Sequence, residues 1–164
     1  MWDENRRVAV NALEYNYIRH GFHICGVCDR TFQSRQIFDC DLAQKKGWAL
    51  VRDCTAPAER FVPELLMLDC VPHGITIGEV ISQVAFVGNC AGQRHGESIF
   101  REQREMPDWR KYSLLFPETE WENPEDSIHY AIFGIWAKGD GWILGYTSLR
   151  TLFYPFYRII HLRR

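Results

Sequence analysis

The chain has 164 residues, 46% hydrophobic and 14% aromatic, the composition of one folded domain rather than of a disordered segment. Nineteen Lys and Arg against 21 Asp and Glu leave a net charge of −2, so phosphate binding would need a local basic patch. No stretch approaches the roughly 20 apolar residues of a membrane helix, and residues 1–7 do not begin a signal peptide. Six cysteines without a secretion signal point to a reducing compartment, where thiols are free or metal-bound.

Residues 3–19 read as a helix. Asp3 can cap it, Val10, Leu13, Tyr17 and Ile18 share a face, and Gly21 ends it. Residues 23–30 read as a short strand running into a knuckle, and residues 48–51 as a second short strand. Residues 57–69 are consistent with a helix having Pro63 in its first turn or at a kink. Ile77, Val80, Ile81, Val84 and Val87 recur at helical spacing. Residues 90–95 read as loop. After a strand at 111–116, residues 117–126, with five acids and prolines at 117 and 124, read as a solvated loop. Residues 128–137 and 142–149, flanking Lys138-Gly139-Asp140-Gly141, carry the signature of a hairpin. A third strand follows in 151–162, confined by Pro155 to an edge or a bulge.

Three features carry candidate chemistry. Cys25-Gly-Val-Cys28, with Cys70-Val-Pro-His73 downstream, has the two-residue spacing at which a turn aims both ligands at one ion. Together the four would make a closed structural zinc site. His20, His23, Cys40, Cys54, Cys90 and His95 compete for the same role, and reduced core cysteines with a surface histidine are the alternative. The second feature is Ala49-Leu50, followed by Cys54 and Ala58. A small residue, then Leu, then Cys four later, then an apolar residue, fits an elongin-binding box whose anchors sit at i and i+4 of a helix. The alternative places Leu50 and Cys54 in the core. The C-terminal Arg158, His161, Arg163 and Arg164, with Tyr154, Phe156 and Tyr157, could stack bases and contact phosphates. An amphipathic edge strand accounts for them as well. Neither a deaminase pattern nor H-E-x-x-H, a P-loop or G-x-S-x-G occurs.

Several of these strings together resemble the adenovirus early-region-four 34-kilodalton protein family. They are His23-Ile24-Cys25-Gly26-Val27-Cys28, the run from Trp48-Ala49-Leu50 to Cys54-Thr55-Ala56-Pro57, Met106-Pro107, and the aliphatic stretch ending in Trp136 and a Gly turn. The chain departs from the family in lacking its dense His-Cys cluster and its C-terminal cysteines. The resemblance implies a non-catalytic viral adaptor. It would recruit host elongin and cullin ligase components, together with a second viral protein, in the host nucleus and cytoplasm. A zinc-stabilised nucleic-acid-binding regulator is the second reading, and a cysteine- or zinc-dependent enzyme the third. The expected fold is a single α+β domain over residues 1–164. Its zinc-stapled helical first half would pack on an antiparallel sheet from the second.

Overall fold

The structure, a computed structural model, describes residues 21–28, 30–35, 46–56, 58–102 and 107–163. The helix expected at 3–19 lies outside these residues. Eight strands form the framework: β1 (Phe22–Val27), β2 (Phe32–Gln33), β3 (Ala49–Asp53), β4 (Arg60–Leu68), β5 (Ser113–Asn123), β6 (Ile128–Ala137), β7 (Gly141–Ser148) and β8 (Tyr157–Arg163). Two helices, α1 (Ile77–Val84) and α2 (Gln93–Arg101), fall between β4 and β5. The strand order is β1-β4-β8-β5-β6-β7, with β2 beside β4 and β3 beside β5. The β5–β8 pair is parallel, and the other pairings are antiparallel.

Successive side chains of a strand point to opposite faces, and here both faces are covered. Leu65, Leu114, Ile132 and Ile160 pack with Ile99 and Phe100 of α2. Their chain neighbours Leu66, Leu115, Ala131 and Ile159 pack with Ile77, Val80 and Val84 of α1 on the other side. That double coverage explains the paired apolar residues in the central strands, each fully buried side chain contributing roughly 1.5–3 kcal/mol.

This architecture overturns the expected fold class. Among the described residues, every regular element before Ile77 is a strand, and the sheet draws on both halves of the chain. Residues 57–69, expected as a helix, contain β4. Its run Leu65-Leu66-Met67-Leu68 is apolar without alternation because β4 is central, and such a run does not distinguish a buried strand from a helix. Pro63 is tolerated by position. It falls where the neighbouring edge is interrupted, between the Val27–Glu64 pair of β1 and the Phe32–Phe61 pair of β2, so the missing N–H costs no bond to that edge. The zinc staple is also absent: no three of the His, Cys, Asp and Glu side chains among the described residues gather as a metal site.

The acidic loop is likewise corrected. β5 runs through it to Asn123, with Pro117 inside a register shift between Phe116 and Glu120, where a bulge accommodates it. Beyond the shift the residues alternate, with Thr119 and Trp121 buried and Glu118, Glu120 and Glu122 less so. The hairpin stands as expected. β6 and β7 pair from Tyr130–Ser148 to Ala137–Gly141, and Gly139 and Gly141 both adopt positive φ, at 94° and 81°. The strand expected after residue 151 is β8, which starts beyond Pro155.

Candidate functional site

The densest polar cluster lies where α2 meets β3, β4 and β5. The α2 sequence, Gln93-Arg-His-Gly-Glu-Ser-Ile-Phe-Arg101, is polar, yet Gln93, His95, Glu97 and Ser98 are buried. Buried polar groups need partners, and here other elements supply them. The Gln93 backbone N–H donates to Thr119 Oγ1 of β5 at 2.9 Å, and Trp121 Nε1 donates to Gln93 Oε1 at 2.9 Å. Asp53, at the end of β3, accepts from Arg94 Nε at 3.0 Å, from Thr119 Oγ1 at 3.0 Å and from the Thr55 hydroxyl. Arg52, one residue earlier, pairs with Glu118 and Glu120.

His95 closes the cluster. Its Nδ1 accepts the Gly92 backbone N–H at 3.1 Å, which leaves Nε2 to donate to Glu59 Oε2 at 3.1 Å. Phe61 stands edge-on to the imidazole, ring centroids 4.5 Å apart. Burial holds the His95 pKa below its ordinary value, and the hydrogen bond and charge of Glu59, with the charge of Asp53, act in the opposite direction. Both ring nitrogens are thus engaged in holding elements together, and what the cluster does is fix the C-terminal end of β3. Asp53, Arg94, His95 and Thr119 were not legible as a group from the sequence, because their proximity is made by strand pairing and not by spacing.

The four residues nominated for zinc do not come together. Cys25 lies in β1 at the register shift between Ile24 and Gly26, and Cys28 follows the strand, buried, its Sγ accepting the Arg30 N–H at 3.4 Å. Cys70 and His73 are exposed beyond the far end of β4. Antiparallel pairing of β1 with β4 sends the two pairs to opposite ends of the ladder. At about 3.3 Å of rise per residue, Cys28 and Cys70 stand roughly 20 Å apart, whereas zinc thiolates sit about 2.3 Å from the metal. His73 instead lines an open surface cavity of about 490 Å³ with Pro72, Glu79, Ser82 and Gln83. Of the competitors, His23 pairs with Asp69, and His95 belongs to the cluster above. Cys90 is buried, and that burial pushes its thiol well above the ordinary value. His20 and Cys40 lie outside the described residues.

Ala49, Leu50, Cys54 and Ala58 do not form a box helix. Ala49 and Leu50 are in β3, where they pair with Glu122 and Trp121 of β5, and Cys54 and Ala58 follow in irregular backbone. The helical docking mode is therefore corrected: in a strand, residues four apart do not stack as on a helix face. The rival placement in the core fails too. Leu50 is 44% exposed and Val51 46%, while Ala49, Cys54 and Ala58 are also exposed.

The basic C-terminal end is largely taken up by the fold. Arg158 donates to the carbonyls of Pro155 and Tyr157 and lies 4.2 Å over the Tyr112 ring. His161 is buried against Glu64 at 2.7 Å, and Arg163 donates to the Cys28 carbonyl at 3.4 Å. Tyr154 and Phe156 remain exposed and stack on each other at 5.6 Å. No helix of the described residues is long and apolar enough to cross a membrane. Compared with known proteins, the chain matches no family model, no curated protein and no solved structure.

Proposed function

We propose that this chain is a non-catalytic adaptor that holds a protein partner on β3. The observation that carries the reading is the exposure of Leu50 and Val51 on a strand clamped by Asp53 to α2 and β5. An apolar edge ordered before binding loses little freedom when it is covered. An extended partner segment can add to such an edge, its main chain giving affinity and a pocket for Leu50 giving selectivity. The likeness to the adenovirus early-region-four 34-kilodalton family supports elongin and cullin ligase components as the partner class, with a second viral protein directing the ligase to host targets. Docking would then run through a strand and not through the helix of an elongin box.

Co-purification of elongin and cullin subunits from host-cell extract tests this, on wild type and on Leu50→Asp. Wild type should retain them and the variant should lose them, since removing an interface anchor typically costs about 2 kcal/mol or more of binding. Its melting temperature should move by no more than roughly 2 °C, as expected for an exposed position. A wild-type protein that never retains the subunits removes the ligase reading. A variant that binds undiminished removes β3 as the docking edge.

A further inference from the structure

We infer that the start of β5 and the loop before β8 form a binding site for single-stranded nucleic acid. A chain of this net charge needs a local basic patch to hold phosphate, and the fold assembles one. The Ser113 N–H donates to the Phe156 carbonyl at 3.2 Å, which sets residues 110–112 beside residues 154–158. Arg110 lies 3.9 Å from the centre of the Trp136 ring. Lys111 and Arg158 lie 5.1 and 4.2 Å from the centre of the Tyr112 ring. A cation laid on a ring is ordered before any ligand arrives.

Elsewhere in the fold arginines meet carboxylates: Arg30 pairs with Glu102, Arg52 with Glu118 and Glu120, and Arg94 with Asp53. Here they do not. Among the described residues, Arg110, Lys111 and Arg158 are in no ion pair, and Asp108, exposed in the adjoining turn, pairs with none of them. Arg158 donates to the Pro155 and Tyr157 carbonyls, bonds that fix its position and leave its charge. Lys111 and Arg158 face one ring, so their like charges repel until an anion joins them.

Unpaired bases stack on aromatic faces, and the same loop offers two. Tyr154 and Phe156 are 46% and 49% exposed, with ring planes 11° apart. They are anchored to the core: Phe156 stacks on Tyr157 at 5.0 Å, and Tyr157 on the buried Phe153 at 5.3 Å. The Tyr157 N–H closes the turn onto the Tyr154 carbonyl at 3.0 Å. Rings ordered in advance lose little freedom when a base covers them. A single strand presents phosphates and open base faces together. A duplex stacks its bases inside, and carboxylates bring charge without flat faces, so the unpaired strand is the occupant that uses both halves of the patch. β3 lies along the other end of β5, at Thr119 to Glu122, so a bound strand would leave the proposed docking edge open.

Fluorescence anisotropy with the full chain tests the inference. The probes are labelled oligo-dT, oligo-U and a mixed-sequence duplex, each about a dozen nucleotides long. At about 50 mM salt the single strands should bind in the micromolar range, and the duplex at least about fivefold more weakly. Three phosphate contacts give a slope of log affinity on log salt near about −2, roughly 0.7 for each. Phe156→Ala should weaken binding at least about fivefold, the loss of one stacked base, whereas Phe156→Tyr should bind as wild type. Lys111→Ala should make the slope shallower by about 0.7. Lys46→Ala, on the Trp48 ring, should change nothing. Either single strand satisfies the inference, and a preference between them separates RNA from DNA. No binding at tens of micromolar protein overturns it. So does a duplex bound as tightly as the strands, a polyglutamate competitor as effective as oligo-dT, or a folded Phe156→Ala that binds undiminished. If Phe156→Ala fails to fold, an unchanged slope in Lys111→Ala overturns it alone.

Discussion

The two α-helices among the described residues lie on opposite faces of one sheet and are held in place by opposite means. α1 carries Ile77, Val80 and Val84 on one face and buries that face alone. It supplies its own N-terminal cap: Glu79 N–H donates to Thr76 Oγ1 at 3.2 Å, and Thr76 N–H donates to Glu79 Oε2 at 2.7 Å, a capping box written in four consecutive residues. α2 is short and polar, and most of its side chains are nonetheless buried. Its N-cap is Gly92, which has no side chain to offer, so Thr119 of β5 and the ring of His95 meet the first N–H groups instead. Helices of eight and nine residues are both marginal by themselves, so what separates them is where their caps and buried partners come from. α1 is therefore a local solution that the sheet accepts, and α2 exists because the sheet supplies its partners.

Crowding at the α2 N-terminus should break this contrast most forcefully. A Cβ on Gly92 would lie 2.1 Å from Thr55 Cγ2 and 2.5 Å from Thr119 Oγ1. Neither neighbour can yield without disturbing the bonds both threonines make to Asp53. Gly92→Ala should therefore cost about 3 kcal/mol, the upper end of the usual range for overpacking. Urea unfolding of the variant measures it. A loss below about 1 kcal/mol, the size of one ordinary hydrogen bond, would mean that the junction of α2 with β3 and β5 is loose and that the helix stands without it.

The same contrast explains what could be read in the chain. α1 was legible because its apolar period is local; its Thr-x-x-Glu cap, equally local, went unread. The β6–β7 hairpin was legible for a similar reason, two β-branched and aromatic runs around a glycine turn. Residues 90–95 read as loop because nothing local in Gly92-Gln93-Arg94-His95 favours a helix. The helix start depends on Thr119, and on Glu59 through His95, 26 and 36 residues away. Trp121 and Thr119 were hidden inside an acidic segment whose alternation is visible only once β3 and β6 flank it. For the site, Leu50 was legible as a residue to watch, whereas its exposure was not. That follows from β3 pairing on one side only among the described residues. The cysteine spacing suggested a staple because spacing carries no information on which end of a strand ladder each pair will reach.

Acid should act on α2 before α1. His95 is neutral in the folded protein, with Nδ1 accepting from Gly92, and burial holds its pKa below the ordinary 6.5. The charged groups that act on it are Glu59, before β4, and Asp53 of β3. Below about pH 6.5 the unfolded chain binds a proton at this histidine more readily than the folded one. This contribution to stability is intact above that pH and declines as pH falls towards the folded-state pKa. The slope for one proton is at most about 1.4 kcal/mol per pH unit. Denaturant unfolding at pH 7.5 and 5.5 should show a loss in wild type that shrinks in His95→Gln. Equal losses in the two proteins would place the acid sensitivity elsewhere.

The smallest expected effect falls on α1. Thr76→Ala removes the side-chain half of the capping box and leaves the first turn short of one acceptor, typically worth about 1 kcal/mol. The Thr76 backbone still bridges Leu152, and Ile77, Val80 and Val84 still fill the face against Leu66 and Ile159, so the helix should survive with a frayed start. Amide exchange is the discriminating measurement. Residues 77–80 should exchange faster, while 93–101, on the opposite face of the sheet, should not change. If the variant instead loses as much stability as Gly92→Ala, or loosens both helices together, α1 depends on its surroundings as much as α2 does. The fold would then have one cooperative polar frame in place of a local helix on one face and a borrowed one on the other.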